Sequence, residues 1–462
     1  MRPAFSQIGF VLAALGSSIG LGHIWRFPYM AGENGGGAFV LLFLVLALCV
    51  GVSLLIAEML IGNRGKGDMP ECFATLSENP KTLWRYTGIA LLGGVLILSF
   101  YCVILGWILY YLVFVSFSLP SSMQASQGIF SALMSEGVEA QILCFFATLF
   151  CTAFIVSFGI KKGIERLNVI LMPLLFIIFI ALLVYASFQP SFLRAVHFLF
   201  DFKYGDITPS VLISALAQMF FSLSLGVGTI MTYSAMSEDK QNLLKSAVWV
   251  VIPGLIISLI AGLMIFTFYF GYEGELGQDS SESVNLVFIS LPLIFSEFGN
   301  VGVVLSVAFL SALLFAGITS TVSLLEPSVF FLTNRFKVHR TIATFGISAV
   351  VFCIGLVALY SMSARGENLI FGGKSVFLWL DFVSSSVIMP ISVLFATFFV
   401  GFVLAKAKVA KGAKGIKEGG QLREYTRDFL SDRAFGLWLF VLRYIAPVII
   451  VGILAYKVIT EL

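Results

Sequence analysis

The sequence predicts an all-α integral membrane protein of eleven transmembrane helices, folded as an inverted five-plus-five repeat in which helices 1 and 6 are discontinuous. Three observations carry this. The chain is 59% hydrophobic and only 11% charged, with a mean hydropathy of +1.01, whereas soluble domains carry about 25% charged residues. Apolar segments of at least roughly 20 residues, enough to cross a bilayer, recur from end to end. Two of them open at glycine and serine: Leu15-Gly16-Ser17-Ser18-Ile19-Gly20-Leu21-Gly22 and Phe221-Ser222-Leu223-Ser224-Leu225-Gly226-Val227-Gly228. Irregular backbone at membrane depth is tolerated only inside protein or along a cavity. An opened helix offers N–H groups to anions and carbonyls to cations. Two such breaks are the pattern of a binding site at the midplane.

Span 1 covers about 7–29. Met1 and Arg2 run almost directly into it with no small-residue cleavage pattern before its break, so no cleavable signal peptide is expected. Span 2 (36–62) leads into Arg64, Lys66, Lys81 and Arg85, and is followed by span 3 (87–118). Span 4 (140–159) ends at Lys161, Lys162 and Arg166, and span 5 (167–188) at a loop with Arg194 and Lys203. Span 6 (209–236) holds the second break and precedes Lys240 and Lys245. Span 7 (243–271) leads into an acidic loop around Glu273, Glu275, Asp279 and Glu282. Span 8 (300–332) ends at Arg335, Lys337 and Arg340, and span 9 (341–361) at Arg365 and Lys374. Span 10 (376–404) enters a basic segment whose Lys411-Gly412-Ala413-Lys414-Gly415 has no apolar period and reads as a solvated loop near anionic lipid. Span 11 covers about 435–459. Lys and Arg concentrate at the chain's start and after the even-numbered spans. The positive-inside rule therefore places the N-terminus in the cytoplasm and the C-terminus outside, in the cell's inner membrane.

The breaks lie five spans apart, so they run in opposite directions. The expected organisation is one transporter domain over 1–462, with repeat one at about 7–188, repeat two at about 209–404 and an extra helix at 435–459. Beyond the Gly/Ser breaks the two halves share no clear residue pattern. The six cysteines sit mostly in apolar segments without metal-ligand spacing, and packed thiols are expected.

Ser17, Ser18, Ser222, Ser224, Thr319, Ser320 and Thr321 cluster on spans 1, 6 and 8. Hydroxyls and freed carbonyls are the oxygen donors a hard cation needs; the alternative is close helix packing by small residues. Ionisable residues within spans are few, and each costs roughly 2.5–3.5 kcal/mol at a helix centre. Arg26 and Asp381 lie on the same side of the midplane, as a pair or as separate interfacial residues. Glu58 sits deep in span 2 and needs a buried partner or hydrogen bonds from opened backbone.

Gly20-Leu21-Gly22-His23-Ile24-Trp25-Arg26-Phe27-Pro28-Tyr29, then Glu33-Asn34-Gly35-Gly36-Gly37-Ala38-Phe39, resembles the first-helix signature of the neurotransmitter:sodium symporter family. Gln218-Met219-Phe220-Phe221-Ser222-Leu223-Ser224-Leu225-Gly226 resembles its sixth helix, and Ala316-Gly317-Ile318-Thr319-Ser320 its eighth. The similarity covers nearly the whole chain, and eleven spans suit a prokaryotic member.

The resemblance implies sodium-coupled symport of a neutral, apolar α-amino acid by alternating access, with no enzymatic activity and no nucleic-acid partner. It implies a sodium site from the backbone oxygens of Gly16, Ile19 and Ala316 and the hydroxyls of Thr319 and Ser320. The substrate carboxylate would meet the N–H groups of Leu21 and Gly22 and the Tyr101 hydroxyl. Its amine would meet the carbonyls of Ser18 and Phe221 and the Ser224 hydroxyl. Ser222 and Ser320 border the same site, and Ile97, Phe221, Val227 and Leu324 would line the side-chain pocket. Arg26 and Asp381 would form the outer gate. Gly20 stands where monoamine transporters of the family carry an aspartate, which favours a substrate that brings its own carboxylate.

Three departures stand against this. The family's other sodium site has Asn at the position of His23 and Asn or Asp near Gly254, so that site is depleted here. The chloride site retains Gln218, Ser222 and Ser258 but has Phe43 in place of a tyrosine, so chloride dependence does not follow. At the inner gate Asn334 replaces an acid and Arg2 matches loosely. His23 is thus a candidate proton carrier or charge substitute, its ordinary pKa lying near 6.5, or else a neutral structural histidine. Two alternative functions remain open: a single-sodium or proton-coupled transporter that uses His23 in place of one sodium, and a transport-silent amino acid sensor. A membrane enzyme would need a catalytic constellation, and the sequence displays none.

Overall fold

The computed structural model describes residues 5–77, 83–272, 285–363, 366, 369–406 and 420–461. The acidic loop at 273–284 and the Lys411–Gly415 stretch lie outside the described residues, as does Arg2. Among the described residues nine helices are long and apolar enough to cross a membrane: Gly37–Gly65, Tyr86–Val115, Val138–Ser157, Ile160–Ser187, Leu243–Gly271, Gly299–Arg335, Arg340–Met362, Val376–Leu404 and Asp432–Ile459. They are spans 2 to 5 and 7 to 11. Span 1 is the pair Gln7–Ser18 and Gly22–Glu33, bent by 48° at its break, and makes a tenth. The segment expected as span 6 is two short helices, Pro209–Ser222 and Thr229–Ala235.

Local chemistry fixes the ends. The first helix starts where Ser6 accepts the Gly9 N–H, and span 7 where Asn242 accepts that of Lys245. Thr208 caps the first half of span 6, with Pro209 at its first turn. Proline lies inside spans 5, 7 and 8 (Pro173, Pro253, Pro327), and the Ser323 carbonyl that Pro327 frees accepts from Thr229 Oγ1 of span 6 at 3.0 Å.

Span 8 is the central post. It packs against spans 1, 3, 4, 5 and 9, and its middle, from Thr319 to Pro327, is continuously buried. Small residues let the neighbours approach. Gly106 of span 3 meets the Phe145 backbone of span 4, and Gly317 of span 8 meets Leu105. The outer faces of spans 4, 5 and 11 carry exposed Phe150, Phe154, Ile177, Val448 and Val451, as a lipid-facing surface does.

Several elements between the spans were not anticipated. Met69–Leu76, Met123–Ser135, Phe192–Phe200 and Leu286–Ser296 are helices, too short or too polar at their flanks to announce themselves beside the spans. Ile370–Phe371 and Lys374–Ser375 form a two-stranded antiparallel hairpin, turned by Gly372 and Gly373 at positive φ.

Candidate functional site

The break in span 1 begins at Ile19, whose ψ of 86° leaves the helical region. Ile19 N still donates to Leu15 O and Gly20 N to Ser18 O, but Leu21 N crosses to the Tyr101 hydroxyl of span 3 at 3.0 Å. A π-turn, Gly22–Arg26, restarts the helix. Opposite it, span 6 unwinds over Leu223–Gly228, with Ser224, Gly226 and Gly228 at positive φ. Glu58 supplies the buried partner here: its Oε1 accepts the Gly226 N–H at 2.8 Å. The two breaks are tied together. Ser224 Oγ donates to Ser17 O at 2.8 Å, and Gln218 Nε2 donates to Gly22 O at 2.7 Å.

Between them is a cavity with about 400 Å³ of empty space, lined by Ser17, Ser18, Gly20, Gly22, Ile97, Tyr101, Phe221, Ser224, Val227, Ser320, Leu324 and Met389. Of the residues named for substrate contact, Leu21 and Ser222 are absent from this lining. Leu21 presents only its N–H to Tyr101, and the Ser222 hydroxyl is turned away to Gln218. Gly20 is closely hemmed by side-chain ends: a Cβ there would sit 2.4 Å from Ser320 Oγ and 2.7 Å from the Tyr101 hydroxyl. Met389 of span 10 was missed, because nothing in its local sequence marks it and only the fold brings it to the break.

A second cavity of about 390 Å³ adjoins the first and shares Phe221 and Met389 with it. Arg26 lines it and lies 4.6 Å from the centre of the Phe221 ring. Asp381 accepts a hydrogen bond at 2.8 Å from Ser385, which lines the same cavity. Lys457 of span 11 also borders it, a cation the sequence reading did not use.

The oxygen-bearing residues of spans 1 and 8 come together. Ser320 Oγ is 3.4 Å from the carbonyls of both Gly16 and Ser17, and Thr319 Oγ1 is 2.9 Å from that of Ala316. A Cβ at Gly16 would lie 3.3 Å from Thr319 Cβ. Neutral oxygens suit a hard monovalent cation; among the described residues no group of three or more His, Cys, Asp or Glu is placed to hold a metal. Asn168 of span 5 joins these oxygens with no local sequence signal to mark it. It is fully buried, donates to Ile164 O, and leaves Oδ1 without a hydrogen-bond partner, 1.8 Å from where a Gly16 Cβ would be. One turn earlier in span 5, Glu165 lies against Gly9, whose Cβ would be 2.2 Å from the carboxyl carbon, and accepts from Ser6 Oγ at 2.5 Å. Gly9 and Gly16 thus give the first half of span 1 a flat face against span 5.

At the opposite end from Arg26, Asn334 donates to Asp68 and Glu71 at 2.8 and 2.6 Å, so the amide is bonded to acids of the span 2–3 connection. Glu326, buried in span 8, holds the Arg340 guanidinium through both oxygens. Lys66 pairs with Asp239 at 2.8 Å and bonds Ser237 O at 2.7 Å. That contact holds the exposed Asp239 carboxyl below its ordinary range.

The profile of the sodium:neurotransmitter symporter family matches residues 2–128 and 133–461. The chain is 35% identical to the sodium-dependent transporter YhdH of Bacillus subtilis over 451 residues, covering 96% of this chain and 95% of that protein. It is 22% identical to the sodium-dependent nutrient amino acid transporter 1 of Drosophila grimshawi, covering 98% of this chain and 76% of that one. The crystal structure of MhsT in complex with L-phenylalanine superposes with a TM-score of 0.85 at 34% identity, covering 99% of this chain and all of that one.

Proposed function

The chain belongs to the sodium:neurotransmitter symporter family, a family of multi-pass membrane transporters, and from that premise we propose that it is a sodium-coupled symporter of a neutral, apolar α-amino acid. The observation that supports this best is the cavity between the two helix breaks. One wall offers Leu21 and Gly22 backbone and the Tyr101 hydroxyl; the other offers Ile97, Phe221, Val227, Leu324 and Met389. A carboxylate displaces the Tyr101–Leu21 bond and takes both donors, and the absence of a side chain at Gly20 leaves it room. The amine goes to the carbonyls of Ser18 and Phe221 and to Ser224.

Sodium is assigned to Gly16, Ile19, Ala316, Thr319 and Ser320, where it braces the bent first span against span 8. Arg26 and Asp381 close above Phe221 from the outside, and the inner end opens in the other half of the cycle. The five-plus-five repeat, with span 11 outside it, supplies the two rocking units, and the N-terminus is cytoplasmic. Chloride takes no part in this scheme: Phe43 offers no hydroxyl, and Ser258 is engaged by His23 at 2.6 Å.

The test is uptake by purified protein in proteoliposomes. A panel of L-amino acids, beginning with L-phenylalanine, is run with sodium, chloride and pH varied separately. Uptake that needs an inward sodium gradient and is unchanged by replacing chloride with gluconate is expected. Sodium-dependent binding without flux would make the protein a sensor, and uptake indifferent to sodium would remove the oxygen cluster's assigned role.

A further inference from the structure

Beside the oxygen cluster is a second buried polar chamber, formed by the π-turn of span 1, the first half of span 6 and span 7. His23, Gln218, Ser222 and Ser258 project into it, all with 0% exposure. Their hydrogen bonds are mostly spent on one another. Ser222 Oγ donates to Gln218 O at 2.7 Å and accepts from Gln218 Nε2 at 2.9 Å. The same amide nitrogen holds Gly22 O. Ser258 Oγ is 2.6 Å from His23 Nδ1. The other ring nitrogen, Nε2, has no hydrogen-bond partner, nor has Gln218 Oε1. Phe43 closes the chamber, its ring 6.4 Å from the imidazole.

The charged groups of the packed elements are engaged elsewhere: Arg26 of the π-turn lies over Phe221, and Glu58 of span 2 accepts from Gly226. Pro209–Ser222 and Gly37–Leu46 contain no ionisable residue, and span 7 contributes only Lys245, more than two turns before Gly254. Gly254 faces His23 directly: a Cβ there would lie 2.9 Å from Nε2 and 3.1 Å from Cε1. Bulky imidazole and bare glycine are therefore one feature. The ring fills the volume that an oxygen-bearing side chain at 254 would need, and presents nitrogen where a hard cation gathers several oxygens.

The geometry points to His23 as a built-in occupant of this chamber that excludes a second ion, so that the chain binds a single sodium per substrate. The inference rests on the sodium-coupled reading of the Gly16–Ser320 cluster and deepens it. Neutral or protonated, the ring takes up the same space, so the stoichiometry does not depend on its charge. The substrate carboxylate is then met by the Leu21 and Gly22 N–H groups and Tyr101, with no ion beside it on this wall.

Equilibrium binding of 22Na+ to the purified full-length protein tests this, with and without a saturating mixture of the twenty L-amino acids. One ion per protein in both conditions is expected. Two ions in the wild type overturn the inference while leaving sodium coupling intact. No sodium binding removes sodium coupling itself. Gly254→Asn alone puts a side chain into the imidazole, and a loss of amino acid binding of roughly tenfold or more is expected; unchanged binding contradicts the packing argument. The pair His23→Asn with Gly254→Asn replaces ring and gap by two carboxamides, and should recover amino acid binding with a second sodium. A double variant that binds amino acid normally but still takes one ion shows that the ring was not what kept the second ion out.

Discussion

The break in span 1 covers three residues, Ile19 to Leu21, and none has positive φ; that in span 6 covers six, Leu223 to Gly228, and Ser224, Gly226 and Gly228 all do. The first is a bend in which a backbone donor, Leu21 N–H, is lent to a tyrosine hydroxyl. The second is an unwound strap, pinned by the Glu58 carboxylate from span 2. A hydroxyl that accepts one bond is easily displaced by a ligand carboxylate. A carboxylate buried at membrane depth is not, because an unpaired donor beside it would cost about 1–3 kcal/mol. On the proposed reading the first break takes the ligand's carboxylate, and the second is held by the scaffold so that Ser224 and Val227 form the ligand's other wall.

Substitutions can break this contrast. Glu58→Ala orphans the Gly226 N–H and should have the largest effect, a loss of amino acid affinity of about 5- to 150-fold. Glu58→Gln keeps an acceptor and should recover most of it. Scintillation-proximity binding on purified protein gives both numbers, and a mild Glu58→Ala would mean the strap holds itself. Gly20→Ala comes next: its methyl meets Ser320 and Tyr101, and overpacking costs about 1–3 kcal/mol. Because it sits in the ligand's own break, it should weaken substrate binding without lowering the melting temperature of the ligand-free protein by more than a few degrees.

Tyr101→Phe removes one hydroxyl, worth about 0.5–1.5 kcal/mol, or roughly 2- to 12-fold in affinity. If it falls as hard as Glu58→Ala, the two breaks are not different in kind. The smallest effect is expected beyond the strap, at Lys66–Asp239. Lys66 holds the Asp239 carboxyl below its ordinary range. The pair's contribution is therefore present at neutral pH and lost as pH falls through that lowered value. Asp239 is exposed, so the contribution stays below about 1 kcal/mol. Asp239→Asn should shift the melting temperature slightly at pH 7 and not at all in strong acid; a large shift would give this exposed pair a structural weight the geometry denies it.

Much of this was legible in sequence, for physical reasons. Spans announce themselves because lipid demands apolar length, and both breaks did so because Gly and Ser are poor filling for an unbroken membrane helix. That Glu58 needs a buried partner or hydrogen bonds from opened backbone followed from the cost of a lone carboxylate in lipid. What stayed hidden depends on which distant spans touch. Met389 reaches the cavity, Asn168 reaches Gly16 and Asn334 finds Asp68 and Glu71, each across an interface with no local pattern. Arg26 and Asp381 read from their depth as a pair or as separate interfacial residues, and depth alone did not show that Arg26 covers Phe221 or that Asp381 holds Ser385. Gly254 looked like a missing ligand; in three dimensions it is the space His23 occupies.

The flat face of span 1 has a mechanical consequence. With no Cβ at Gly9 or Gly16, the first half of that span has no knobs seated in holes on span 5 at these two points. The side chains of Glu165 and Asn168 take the space a Cβ would fill there, so parting the two spans at these points breaks the Ser6–Glu165 contact with no side chain at either glycine to turn. Parting along such a seam gives water to two acceptors that the closed seam leaves without a hydrogen bond, Asn168 Oδ1 and Glu165 Oε2.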